Sequence, residues 1–465
     1  MGNKIIQILL LLLLSVLSAE PLLFLYAGII LFYVFKVCWR ANETKHLLVN
    51  LLLYWAVVAI LIPYADLVGQ PLDSLYVYGK ADIKQASWLG LTALGFYLVG
   101  IRMSIFHVKP IETEQMVRLF KKYNGSKIIL AYVVVSIVSV LVNRAILFIP
   151  GGQLLLAVTY LKWVLLTLLI AHTLIVDSNR MVVFILVSVE ILLSFSGFWA
   201  AFKDYILVVL GAYFLLLPKL SFRSYLLISS VLIFTLFISV IWTYSKGEYR
   251  RYLTGGERTQ IIVQQDQLGN LRKFMEIARD DFSPKNFNSS FASGLENLIH
   301  RVSYVEFLGL SIKQVPAYIP YEEGALLKSS FEHVLKPRFL FPDKKAIFDS
   351  ELTSKYTGIQ FAGAELGTSF SLGTVAEAYV DFGRYYMFIP ILFFGLWIGW
   401  LYRYFIVNAY NMVWGMCYAA PMFQFAWSFP VPTSKFLGWS ITYFIGFWFL
   451  NKFLIKYLDK FLLNK

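Results

Sequence analysis

Apolar residues along this chain come in long unbroken stretches, not in the alternating pattern of a strand or the one-sided pattern of a soluble helix. Stretches close to the roughly 20 residues that cross a bilayer as a helix fall at 5–19, 21–38, 47–68, 87–105, 128–149, 153–175, 181–198, 203–217, 224–243, 386–402, 405–428 and 436–455. Lipid offers no partner to backbone N–H and C=O groups, so such stretches must be helical. The pattern predicts an all-α polytopic membrane protein with about 12 transmembrane helices, the first two forming a tight hairpin and not a cleaved leader. One long polar interruption, 244–385, divides the chain. Before it lies an N-terminal bundle of about nine helices (1–243), and after it about three helices with a basic tail (386–465).

Charge separates the two sides of that membrane. Residues 244–385 hold 17 basic and 17 acidic side chains, so the whole net charge of +13 belongs to the rest of the chain. Lys4, Lys36, Arg40, Lys45, the stretch "RLFKKYNGSK", Arg180, Lys219, Arg223, Arg403 and the tail "NKFLIKYLDKFLLNK" all fall on one predicted side. By the positive-inside bias that side is the cytoplasm, with both termini on it, and 244–385 is an extracytoplasmic loop domain between helices 9 and 10. The basic surplus is then a topology signal, and no nucleic-acid partner is implied. Within the loop domain, helix-like runs ("GNLRKFMEIARDDF", "SGLENLIHRVSYVEFLGLSIKQV") alternate with proline-punctuated ones ("VPAYIPYEEG", "KPRFLFPDKK").

Composition agrees: 58% of residues are hydrophobic and 15% charged, against about 25% charged in soluble domains. Cys38 and Cys417 sit in or beside apolar runs, and the five histidines make no paired-ligand spacing. No Walker, GxGxxG or HExxH motif is present, so neither a metal nor a nucleotide cofactor is expected.

Candidate chemistry begins with charges placed where they are costly. Lys162 lies mid-span in "VTYLKWVLL" and has Glu190 as a natural ion-pair partner, with substrate binding as the other role. Lys203–Asp204 occupies a near-linkerless junction between two spans, a position suited to a lipid phosphate. In the loop domain, arginines stand beside aromatic residues: Arg250 and Arg251 in "GEYRRYL", Arg301 in "HRVSYVEF", Arg338 in "KPRFLFP". Guanidinium forks suit phosphate oxygens and aromatic rings suit sugar faces. In "GTSFSLGTVAEAYVDFGRYY", Glu377 and Asp381 share a helix face at i and i+4. A carboxyl among aromatics near a membrane has its pKa raised toward the range of a general base, while the helix dipole alone also favours an acid there.

The "LKPRFLFPDKK" element, followed by "GTSFSLGTVAEAYVDFGRYY" and an apolar helix, resembles the Wzy family of bacterial O-antigen and capsule repeat-unit polymerases. The match is specific over roughly 335–400 and only architectural elsewhere. It implies a GT-C-like, metal-independent glycosyltransferase in the bacterial cytoplasmic membrane. Such an enzyme passes a glycan from undecaprenyl diphosphate to the next lipid-linked repeat unit, and a chain-length regulator is a further candidate partner. On this resemblance Glu377 is the catalytic base and Arg338 a catalytic cation. A lipid-diphosphate leaving group needs cations, so Arg301, Lys203, Arg250, Arg251 and Lys162 are candidates for binding diphosphate or glycan, and Tyr318, Tyr321 and Tyr379 are candidate stacking partners for the sugars. Lys203 departs from an arginine common at that junction, and a lysine lacks the bidentate fork. An O-antigen ligase, with His300 or His333 in its external loop, a polysaccharide flippase and a non-catalytic subunit of an envelope complex are the alternatives.

Overall fold

The computed structural model describes residues 11–464 apart from 40–44, 107, 109–112, 146–154, 218–220, 258–261, 265, 337–339, 342–343, 345–348 and 364–367. Its first half comprises α1 (11–17), α2 (Pro21–Trp39), α3 (Lys45–Ala59), α4 (Leu61–Val68), α5 (Ile83–Ser104), α6 (Thr113–Phe120), α7 (Gly125–Ala145), α8 (Leu156–Val176), α9 (Arg180–Ser194), α10 (Phe202–Leu216) and α11 (Phe222–Leu253). The second half comprises α12 (Gln267–Asp281), α13 (Phe287–Val302), α14 (Val305–Gln314), α15 (Ala325–Leu335), α16 (Asp349–Thr357), α17 (Thr374–Tyr386), α18 (Phe388–Asn408), α19 (Met412–Cys417), α20 (Thr433–Phe453) and α21 (Ile455–Leu462).

Among the described residues six helices are long and apolar enough to cross a membrane: α2, α5, α7, α8, α11 and α18. The pair α3 and α4, bent by 44° at its break, makes a seventh if it acts as one span. The protein is thus a helical membrane protein, with fewer candidate spans among the described residues than the dozen expected. Length explains part of the difference. α9 and α10 have 15 residues each, about 22 Å at 1.5 Å per residue, short of a hydrocarbon core of about 30 Å.

The expected span 405–428 is corrected outright. α18 ends at Asn408, and the Asn411 side chain caps the six-residue α19 by accepting from Val413 N (3.0 Å) and Trp414 N (3.2 Å). A 3₁₀ turn, Ala420–Gln424, follows with Pro421 at its start. Trp414, Tyr418, Phe425 and Phe429 are fully buried. The apolar character of this stretch serves the protein interior, where core and lipid-facing segments read alike.

The closest packing in the bundle joins α5 to α18. A Cβ added at Gly395 would fall on the carbonyl oxygen of Tyr97, and one at Gly100 on that of Leu392; one at Gly399 would lie 2.8 Å from that of Ile101. Gly395 and Gly399 are a small-xxx-small pair, which lets helix backbones meet and maximises dispersion where lipid supplies no hydrophobic drive. Ser104 Oγ donates to Leu396 O at 2.7 Å across the same seam.

Among α7–α10 the expected ion pair forms. Lys162 Nζ lies 3.0 Å from Glu190 Oε1 and 2.8 Å from Tyr205 Oη, while Tyr205 and Tyr132 donate to Glu190 at 2.7 and 3.1 Å. Lys162 is therefore occupied within a closed polar cluster and holds four helices together.

Gly395→Ala is expected to lower the thermal midpoint in detergent by the equivalent of about 1–3 kcal/mol, the usual penalty of overpacking. Gly95→Ala, whose added Cβ would meet only Ile30 Cδ1 at 3.5 Å, should not. Equal midpoints for the two variants would contradict the glycine seam.

Candidate functional site

α17 starts at a position only glycine fills. Gly373 has φ +90°, and a Cβ there would fall on the Phe429 carbonyl oxygen. The chain is thereby clasped to the segment before α20: Thr374 N donates to Val431 O at 2.8 Å, and the Thr374 hydroxyl donates to the same oxygen. One turn on, Glu377 Oε2 accepts from Thr433 N at 3.0 Å, the first residue of α20. A turn further, Asp381 accepts from Leu326 N (3.0 Å) and Leu327 N (2.8 Å) in the first turn of α15. Neither α15 nor α20 has a side-chain cap of its own. The i, i+4 carboxylates of α17 thus satisfy orphan N–H groups of two other helices and face their positive ends.

Both carboxyls are buried, Glu377 being 4% exposed. They line a cavity of about 10 Å³ with Leu327, Phe394 and Thr433, room for no more than one water. Burial pushes the Glu377 carboxyl up to about 7; the Thr433 hydrogen bonds oppose this, and Asp349 and Asp381 add to it. Burial also raises Asp381, opposed by the amides of α15. The raised pKa suits a general base, but the space beside it holds no more than one water and not a sugar. In this geometry Glu377 positions α20. Asp349 itself pairs with Lys435 in the first turn of α20 and accepts from Ser369 Oγ at 3.3 Å.

Tyr379 is also occupied: it is 4% exposed, and its hydroxyl donates to Val315 O at 3.0 Å. It ties α17 to the end of α14 and offers no face to a glycan. Tyr318, 80% exposed, and the partly exposed Tyr321 remain at the surface. Arg338 lies outside the described residues.

A second cluster forms where α11 runs beside α13. α11 continues well past the expected end at 243, for 32 residues, and so carries "SKGEYRRYL" on the same rod. Phe237 packs on Phe291 with ring centroids 6.2 Å apart, and a Cβ at Gly294 would lie 2.9 Å from Val240 Cγ1. Running in the same direction from these contacts, the two helices bring Lys246 and Arg250 of α11 and Arg301 of α13 into mutual repulsion about two turns on. Arg250 is pinned to the α9–α10 junction. Its guanidinium lies 4.3 Å from the Phe198 ring and 4.7 Å from that of Trp199, and Nε donates to Phe198 O at 3.2 Å. Arg301 is an exposed residue, yet partial burial of its guanidinium lowers its pKa, opposed by Tyr78 and Tyr304. Among the described residues no carboxylate stands within ion-pair distance of Lys246, Arg250 or Arg301. Lys203 and Arg251, both exposed, likewise make no ion pair there.

Tyr304 stands between the two clusters. It feels Arg301 on one side and Asp349 on the other, and its hydroxyl donates to Ser371 O at 2.8 Å, just ahead of the clasp. Lys246 was not singled out from the sequence. Its signal is the i, i+4 spacing to Arg250, hidden because the apolar stretch itself ends near 243. Of the expected loop histidines, His300 is half-buried with its ring 6.1 Å from that of Tyr64, and the His333 carbonyl accepts from Lys344.

A family model for a domain of unknown function, DUF8712, matches residues 92–457. The chain belongs to the DUF8712 family. No curated protein and no solved structure matches it. The matched segment of this DUF8712 protein includes the α5–α18 seam, the α17 clasp and all three cations.

Two variants separate the roles of the α17 carboxyls. A carboxyl whose folded pKa of about 7 exceeds its ordinary 4.5 binds its proton more tightly folded than unfolded, so its contribution to stability declines as pH rises between those values. Glu377→Gln keeps an oxygen for Thr433 N and removes the charge. It should melt above wild type at pH 8 and close to it at pH 5. The same offset at both pH values would show that Glu377 is not the titrating group. Asp381→Ala should cost about 1–2 kcal/mol at either pH, the loss of a helix cap.

Proposed function

We propose that this DUF8712 protein is a metal-independent membrane glycosyltransferase that polymerises undecaprenyl-diphosphate-linked oligosaccharide repeat units at the outer face of a bacterial cytoplasmic membrane. The observation that carries the proposal is the group of Lys246, Arg250 and Arg301, three cations that repel one another at the end of a membrane helix and have no acidic ion-pair partner among the described residues. Like charges gathered without a counterion are costly, and a polyanionic ligand relieves that cost. The resemblance over roughly 335–400 supplies the reaction class.

In the transfer, a hydroxyl of the acceptor sugar attacks C1 of the donor sugar, and the bond from C1 to the diphosphate oxygen breaks. The electron pair leaves with the lipid diphosphate, where the three cations stabilise the developing charge. The hydroxyl proton passes to a carboxylate or to water. Glu377, held in its clasp, has the positioning role described above and takes that proton only if α17 and the start of α20 part. Lys203 and Arg251, exposed near the same end, are secondary contacts for the lipid headgroup.

Deleting the gene in its native bacterium should collapse the surface-glycan ladder on a gel to a single repeat unit. Complementation with Arg301→Ala or Lys246→Ala should leave polymer reduced by roughly 10²–10³-fold, the effect of losing one charge-stabilising donor. Lipid-linked polymer accumulating with no repeat unit on the acceptor would indicate a ligase instead. An unchanged ladder in the deletion strain would overturn the proposal.

A further inference from the structure

The stretch "LYVYG" (75–79), between α4 and α5, plays no part in the chemistry so far. Its backbone is nonetheless held in one shape. Glu306 of α14, 3% exposed, accepts with Oε1 alone from Val77 N (2.9 Å), Tyr78 N (2.6 Å) and Gly79 N (3.3 Å). Three successive amides converging on one buried carboxylate oxygen make a rigid nest. Gly79 supplies the third of these amides.

The nest aims the Tyr78 ring into an aromatic cage. Phe307, Phe361 and Phe370 stand 5.4, 5.3 and 5.8 Å away by ring centroid, the last two meeting it by edge at 67° and 79°. Phe361 and Phe370 are themselves 4.8 Å apart. Caged on these sides, Tyr78 still keeps 38% of its surface exposed. It is also close enough to Arg301 for the two side chains to interact electrostatically. A large, pre-ordered and partly exposed ring therefore stands near Arg301, one of three cations that make no ion pair among the described residues. Tyr318 differs: 80% exposed, it has no such cage among the described residues.

We propose that Tyr78 is a glycan subsite, its caged ring packing against the apolar face of the first donor sugar while Arg301, Lys246 and Arg250 hold the attached phosphate. The assignment rests on the transferase proposal above and names the sugar it grips, the one bonded directly to the diphosphate. A hexose 1-phosphate carries its ring and its phosphate one glycosidic bond apart, the two groups that Tyr78 and Arg301 would receive. Fixing the ring through Glu306 before the ligand arrives removes the ordering cost that a free tyrosine would carry.

The test is a binding titration on the purified full-length protein in nanodiscs, using pyrophosphate, inorganic phosphate and the 1-phosphates of glucose, galactose and N-acetylglucosamine. Wild type should bind pyrophosphate, and should bind at least one hexose 1-phosphate more tightly than inorganic phosphate. Tyr78→Ala should lose that sugar increment, roughly two- to ten-fold for one aromatic contact, with pyrophosphate affinity unchanged. Tyr78→Phe should keep it, and Arg301→Ala should weaken every ligand. Pyrophosphate binding to wild type without any preference for the hexose 1-phosphates would sink the subsite alone. So would Tyr78→Ala weakening pyrophosphate and hexose phosphates equally. No pyrophosphate binding by wild type would sink the transferase proposal and the subsite with it.

Discussion

The backbone-to-backbone contact of α5 with α18 is the constraint on which the rest of this structure hangs. Three glycines, Gly100, Gly395 and Gly399, remove the side chains that would hold these helices apart. Each helix then presents its N-terminal end to the candidate site. α18 follows directly on α17, from which it is turned by Gly383 at φ +69°, so the seam fixes where Glu377 and Asp381 stand. Before α5, the Asp82 backbone packs on Gly309 of α14, with Asp82 N donating to Gly309 O at 3.4 Å. That contact places Glu306 and, just ahead of α14, Arg301.

Charge is handled in two opposite ways. On α17 the carboxylates are buried and saturated by helix N-termini, an arrangement that stabilises the fold and leaves little chemistry accessible. Between α11 and α13 the cations are gathered, repel one another and have no acidic neighbour within ion-pair reach among the described residues. Neutralised buried carboxylates behave as structure, whereas uncompensated cations behave as a site awaiting an anion. The same contrast holds for Lys162, which Glu190, Tyr205 and Tyr132 absorb completely into the bundle.

Much of this was legible in the sequence, and the failures have physical causes. Long apolar stretches mark α2, α5, α7, α8, α11 and α18, and the cost of charge in lipid makes Glu190 the natural partner of Lys162. The stretch 405–428 misled because hydrophobicity does not distinguish a buried, proline-broken core segment from a span. Helical spacing placed Glu377 and Asp381 on one face. Their partners, Thr433 N and the amides of Leu326 and Leu327, lie more than fifty residues away in the chain, and no local pattern points to them. Tyr379 looked like a sugar platform, but burial and its bond to Val315 O use it up. A nest of backbone amides has no sequence signature, so no pattern in the chain points to Tyr78 or Glu306.

The central claim is that Lys246, Arg250 and Arg301 receive a lipid diphosphate. Native mass spectrometry of the purified protein loaded with an equimolar mixture of undecaprenyl phosphate and undecaprenyl diphosphate tests it most directly. Wild type should retain the diphosphate lipid in preference, and a Lys246→Ala, Arg301→Ala double variant should lose that preference while staying folded. Equal retention of the diphosphate lipid by both proteins would contradict the account.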